Sequence, residues 1–165
     1  MTTENEKSVL YNTETKQTIN SPTKQTYTEL QKAYDFFNHN LFKDKLPQCL
    51  ITLQRQARAY GYFSANRFQH TQAGTFAHEI SMNPDHFKTE PLQKTLSTLV
   101  HEMVHLQQAY SGNPSRKGYH NKEWANMMLA VGLIPSDTGL PNGNQVGQRM
   151  THYIETSGKF DRSEE

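Results

Sequence analysis

A stripe of apolar residues constrains this chain more than any other feature. Leu92, Leu96, Leu99, Met103, Leu106 and Tyr110 recur at helical spacing and fall within ~40° of a common line on a helical wheel. Residues 91–110 are therefore predicted to form a long amphipathic helix, with Pro91 in the first turn, where proline is favoured. Ser111-Gly112-Asn113-Pro114-Ser115 breaks it. Whatever the fold, it must bury that stripe. The same segment carries His101-Glu102-Met103-Val104-His105. Histidines four residues apart on a helix lie ~40° from each other, here roughly opposite the stripe, and can hold one metal ion. Glu102 is angled aside, free to accept a proton from an attacking water rather than to ligate. One face of the helix is for the core and the other for a metal.

The flanking chain changes period twice. Leu30, Ala33, Tyr34, Phe37, Leu41 and Phe42 predict a first amphipathic helix beginning near Thr26 or Thr28 and ending before Pro47. Leu50-Ile51-Thr52-Leu53 and Ala59-Tyr60-Gly61-Tyr62-Phe63 read as two strands or one bent strand. Asn66-Arg67-Phe68 and Thr71-Gln72-Ala73-Gly74 read as a turn region, and residues 75–82 as a further strand closed by Asn83-Pro84-Asp85. A last helix is expected over 121–131, with Trp124, Met127, Met128 and Val131 on one face and Gly132 as its stop. Strands grouped between helices make the fold class α+β, not an alternating βαβ fold. The expected architecture is zincin-like: an N-terminal helix, a small and mostly antiparallel sheet of three to four strands, then the helix of His101 and His105 and a following helix. Three segments follow: a polar, flexible arm over 1–25, a domain over 26–135, and an irregular tail over 136–165, with a short strand at 151–154, able to pack on the domain.

A catalytic zinc site takes three protein ligands and keeps the fourth position for water. His120, just before the last helix, is the candidate third ligand, against the plainer reading of a surface loop histidine. The segments Thr95-Leu96-Ser97-Thr98-Leu99-Val100-His101-Glu102-Met103-Val104-His105 and Gly118-Tyr119-His120-Asn121-Lys122-Glu123-Trp124 resemble the SprT-like metallopeptidase family, which includes the Spartan proteases. Residues 60–64 and Ile80-Ser81-Met82-Asn83-Pro84 resemble the strands before its catalytic helix, so the likeness covers about 27–133, closest to bacterial and mobile-element members. The resemblance implies that His101, His105 and His120 bind Zn2+, that Glu102 is the general base or acid, and that the substrate is protein on DNA. The cysteine-rich ribbon of several family members has no counterpart here, because Cys49 is the single cysteine.

Other residues carry plainer expectations. His78 and Glu79 are read as a half-exposed strand pair, and His39, His70, His86 and His152 as surface or capping residues. Cys49 is read as a small buried residue entering a strand, although peptide deformylases pair such an upstream cysteine with a similar motif. Tyr62, Tyr119 and Tyr153 are equivalent candidates for donating to an oxyanion, with packing the commoner job, and Trp124 is expected to anchor the core behind the metal helix. A net charge of +1 excludes a whole-chain polycation, but Arg116 and Lys117, with Arg55, Arg58 and Arg67, can form a local nucleic-acid-facing edge. No signal sequence or spanning apolar run is recognisable, so a soluble, monomeric, cytoplasmic protein is expected, nucleoid-associated if it binds DNA. The rival functions are a non-catalytic DNA-associated module with structural zinc, and a small-molecule zinc hydrolase of deformylase type using Cys49.

Overall fold

The structure, a computed structural model, describes residues 21–69 and 74–163. Residues 1–20 of the expected arm over 1–25, residues 71–73 of the expected turn region, and His70 lie outside those residues, while residues 22–25 of that arm belong to the first helix.

Helix α1 (Pro22–Phe42) starts earlier than the apolar spacing suggests, because Pro22 occupies its first turn, where a missing N–H costs nothing. It turns Tyr34, Phe37 and Phe42 into the core and ends at Lys43 in the left-handed conformation. The Asn38 amide then clamps Leu46 through both its backbone groups, at 3.1 Å each, which fixes the path toward Pro47.

Three strands follow: β1 (Leu50–Leu53), β2 (Gly61–Gln69) and β3 (Phe76–Met82). The sheet order is β1-β3-β2, with β1 parallel and β2 antiparallel to the central β3. The region expected to turn at Asn66-Arg67-Phe68 is instead part of β2. Between the Ser64–Glu79 and Phe68–Ala77 pairs, β2 bulges, with Asn66 at φ 49° and its N–H donated to His78 Nδ1 at 3.2 Å. A positive-φ asparagine signals a turn in sequence and a bulge here. Glu79 is fully buried rather than half-exposed, because the central strand places its Oε1 within reach of Thr52 Oγ1 (2.6 Å) and Gln54 Nε2 (2.9 Å).

A 3-10 turn (Pro84–His86) leads into α2 (Leu92–Ser111). Its stripe is buried at Leu99, Met103 and Leu106, but Leu92 (72% exposed) and Tyr110 (60%) run past the core at the two ends. From Ser97 to Val104 every residue is buried, since the helix is covered on its metal face as well as its core face. Helix α3 (Lys122–Ala130) is capped by Asn121, whose Oδ1 accepts from Trp124 N at 3.0 Å.

The C-terminal segment is more ordered than expected. Beside the anticipated strand β5 (Thr151–Ile154), residues after α3 form β4 (Leu133–Ser136), and the two pair antiparallel. Gly132 (φ 84°) turns the chain from α3 into β4 and lets the 159–160 backbone approach: a Cβ there would meet Lys159 N at 2.7 Å and Phe160 N at 2.9 Å. Pro135 fits because a two-stranded ribbon leaves one side of each strand without a ladder. Short helix α4 (Lys159–Ser163) then drives Phe160 into the core, stacked on Phe37 with centroids 5.4 Å apart. The fold is α+β, and among the described residues no helix is long and apolar enough to cross a membrane.

Candidate metal centre

Histidines 101 and 105 lie one turn apart on α2, and His120 stands immediately before the α3 cap. Their donor atoms all lie within 4.8 Å of one another, close enough to hold one metal ion. His120 reaches them because its loop is pinned at both ends. Gln108 Nε2 donates to Asn121 Oδ1 (2.8 Å) and Glu123 Oε1 (3.0 Å), and Glu123 also accepts from Asn113 N (2.7 Å). On the other side, His120 exchanges two backbone hydrogen bonds with Gly147, at 2.8 and 3.0 Å. Its Nδ1 also donates to the Gly147 carbonyl at 3.2 Å, which leaves the Nε2 lone pair bare.

That bare nitrogen faces His105 Nε2 at 3.1 Å. Two nitrogens bound tetrahedrally to one zinc at ~2.0–2.1 Å stand ~3.3 Å apart, so the pair is spaced as ligands are. The rings rest on one indole: Trp124 is fully buried, with centroids 5.1 Å from His101, 5.5 Å from His105 and 4.4 Å from His120. Trp124 is thus the floor of the site as well as a core anchor. Cys49 takes no part in this group. It sits just before β1 beside Tyr34, and burial pushes its thiol up to about 11.

Electrostatics favour ligation. Burial pushes His101 well below its ordinary range, with the neighbouring histidines adding to the effect, and pushes His105 down to about 3. Burial also lowers His120, against the opposing pull of backbone carbonyls that begins with Gly147. Neutral imidazole is the form that binds a metal. Burial pushes the Glu102 carboxyl the other way, up to about 8. Gly61 brings β2 close beside it: a Cβ there would meet Ser81 O at 3.0 Å, Thr98 Cγ2 at 3.2 Å and Glu102 Cγ at 3.3 Å.

Glu102 and the three histidines line a groove of about 1390 Å³ between β2, the 114–119 loop and the β5 side. Tyr62, Tyr119 and Tyr153 all line it, as do Arg58, Arg67, Arg116 and Lys117, whereas Arg55 is bound to Asp85 at 2.7 Å. Lys94 and Arg149 add two cations, and Asp137 is the acidic residue on the rim besides Glu102. Elsewhere His39 pairs with Asp44 and His86 packs on Tyr60, as surface histidines do.

One histidine is not where the sequence suggests. His152 is half-buried against the site rather than a free surface or capping residue: its Nδ1 lies 3.0 Å from His101 Nδ1 and its Nε2 2.9 Å from Ser97 Oγ. Nothing in its spacing, 51 residues from His101, signals the contact.

The model of the SprT-like family matches residues 30–146. The chain belongs to the SprT-like family. A Salmonella typhimurium relative, described as "Uncharacterized protein in mucB 3'region", is 56% identical over 62 residues, covering 38% of this chain and 84% of that protein. The match to the family takes in His101, Glu102, His105 and His120 of this SprT-like chain and stops short of β5 and His152.

Proposed function

We propose that this SprT-like chain is a zinc metalloendopeptidase, with His101, His105 and His120 as the zinc ligands and Glu102 as the general base. The observation that carries it is the meeting of three inward-facing histidines and a buried carboxyl on one wall of a long open groove. When bound, zinc supplies a Lewis acid for the scissile carbonyl and lowers the pKa of a water toward ~7. Glu102 accepts the proton of the attacking water and returns it to the leaving amine. The buried setting of Glu102 suits a group that must gain and lose a proton near neutral pH. Open at the surface, the groove admits an extended polypeptide, and tyrosines 62, 119 and 153 are within its walls to donate to the developing oxyanion. A structural zinc has no use for a carboxyl on an accessible wall, and the deformylase-type reading lacks its cysteine beside the histidines.

The finer reading is a cytoplasmic monomer that acts on proteins bound or crosslinked to DNA. The cations along the groove support it, since they suit a polyanion held next to the substrate. The test uses purified chain with zinc, casein or a DNA-binding protein as substrate, and single-stranded DNA present or absent, beside Glu102→Gln. Fragments that need Glu102 and increase with DNA are the expected result. Equal fragmentation by Glu102→Gln would overturn the peptidase reading, and indifference to DNA would overturn the DNA-linked one.

A further inference from the structure

Ser97, His152 and His101 form a hydrogen-bonded chain whose direction is fixed from one end. The Lys94 carbonyl only accepts, and Ser97 Oγ donates its single proton there at 2.9 Å. Ser97 therefore meets His152 Nε2, 2.9 Å away, with a lone pair, so Nε2 carries the His152 proton. His152 Nδ1 is then bare. It faces His101 Nδ1 at 3.0 Å, which must in turn be the protonated nitrogen. The remaining His101 nitrogen, Nε2, is left with its lone pair free.

We infer that His152, held by Ser97, is a positioning residue that fixes the tautomer and ring orientation of His101 for metal binding, a role that rests on the zinc reading above. A metal-binding histidine commonly donates its second N–H to a carboxylate, a carbonyl or water, and His120 does so to Gly147. At His101 a second imidazole takes that place. It is delivered by β5, whose pairing sets His152 opposite Pro135 of β4. His152 stands outside the group of converging donor atoms, so it acts through His101 and not as a ligand.

The test is zinc affinity of the full chain by chelator competition, with folding of each variant checked by circular dichroism. His152→Ala should retain one zinc per chain but bind it about 10–100-fold more weakly. His152→Asn should recover most of that loss, because Asn Oδ1 lies where the accepting Nδ1 was. Ser97→Ala should weaken binding by a smaller factor, and it carries the test if His152→Ala does not fold. A merely structural role would lower Tm and leave the affinity of the folded chain unchanged. Wild-type affinity in His152→Ala, or in Ser97→Ala if that variant must serve, would overturn the inference. So would an X-ray absorption spectrum losing one coordinated imidazole in His152→Ala, since His152 would then be a ligand. The underlying zinc reading fails separately, if the wild-type chain takes up no zinc or His120→Ala binds it as tightly.

Discussion

The α2–α3 pair and the β4–β5–α4 segment hold the same histidines by different means. In the first, backbone geometry does the placing: one helical turn separates His101 from His105, and the Asn121 cap sets His120 at the mouth of α3. In the second, the contacts are long-range. Gly147 ties down His120, His152 stands behind His101, and Phe160 secures the segment against Phe37 of α1. Helix α2 and the residue before the α3 cap thus supply the donor atoms, while the C-terminal segment packs on their rings and builds one wall of the groove. Damage to the first region should abolish the site, and damage to the second should weaken it by degrees.

The largest effect expected is on turnover. Glu102→Gln should cost about 10²–10⁴-fold in peptide hydrolysis, the usual contribution of a general base, while zinc content is unchanged. Activity within a few-fold of wild type would remove Glu102 from the chemistry. Next come the two buried aromatics, one from each region. Trp124→Ala and Phe160→Ala each remove a fully buried ring, at a cost of about 3–5 kcal/mol in urea unfolding. Trp124 is the floor under all three imidazoles, so its loss should also lower zinc affinity; loss of Phe160 should lower stability with little change in affinity. Equal affinity losses would erase the distinction between the regions.

A pH effect of intermediate size follows from the buried histidines. In chelator-treated protein His105 is lowered to about 3, His152 to about 4 and His101 well below its ordinary value, each chiefly by burial. The unfolded chain takes up protons near ~6.5 that the folded chain refuses, so their stability is full above ~6.5 and drains as pH falls toward the folded values. Glu102 works in the opposite sense. Raised to about 8, it holds a proton in the folded chain that the unfolded chain has lost, and stability declines as pH rises toward 8. Several histidines outweigh one carboxyl below ~6.5, which places maximum stability near that pH. Urea midpoints across pH 4.5–8.5 check this; a continued rise in stability on acidification below ~6.5 would contradict it.

The smallest effect concerns the groove cations. Replacing Arg116 and Lys117 by alanine should reduce the salt slope of single-stranded DNA binding by about 1.4, at ~0.7 per phosphate contact. Titrations at two salt concentrations measure it. An unchanged slope would move any DNA contact away from the 114–119 loop.

Legibility of the molecule in sequence follows the same division. The helix of His101 and His105 could be read because apolar residues repeat at its own period, and His120 because a tetrahedral site needed one more ligand near a helix start. His152 and Glu79 could not, because burial of each depends on which strand lies beside which: β4 against β5, and β3 between β1 and β2. Asn66 misled, whereas Gly132 stops α3 as expected. An asparagine suited to positive φ marks a turn in sequence, but here it makes a bulge inside β2. The packing of α4 could not be read either, because the partner of Phe160 is Phe37 in the first helix.

That His101 and His105 of α2 and His120 before α3 together hold one zinc is decided by zinc-edge X-ray absorption with metal analysis on the full chain and on His120→Ala. One zinc per wild-type chain is expected, with three imidazole nitrogens at ~2.0–2.1 Å and a fourth light ligand, and with the metal lost in His120→Ala. Full zinc occupancy in His120→Ala, with an unchanged coordination shell, would contradict it.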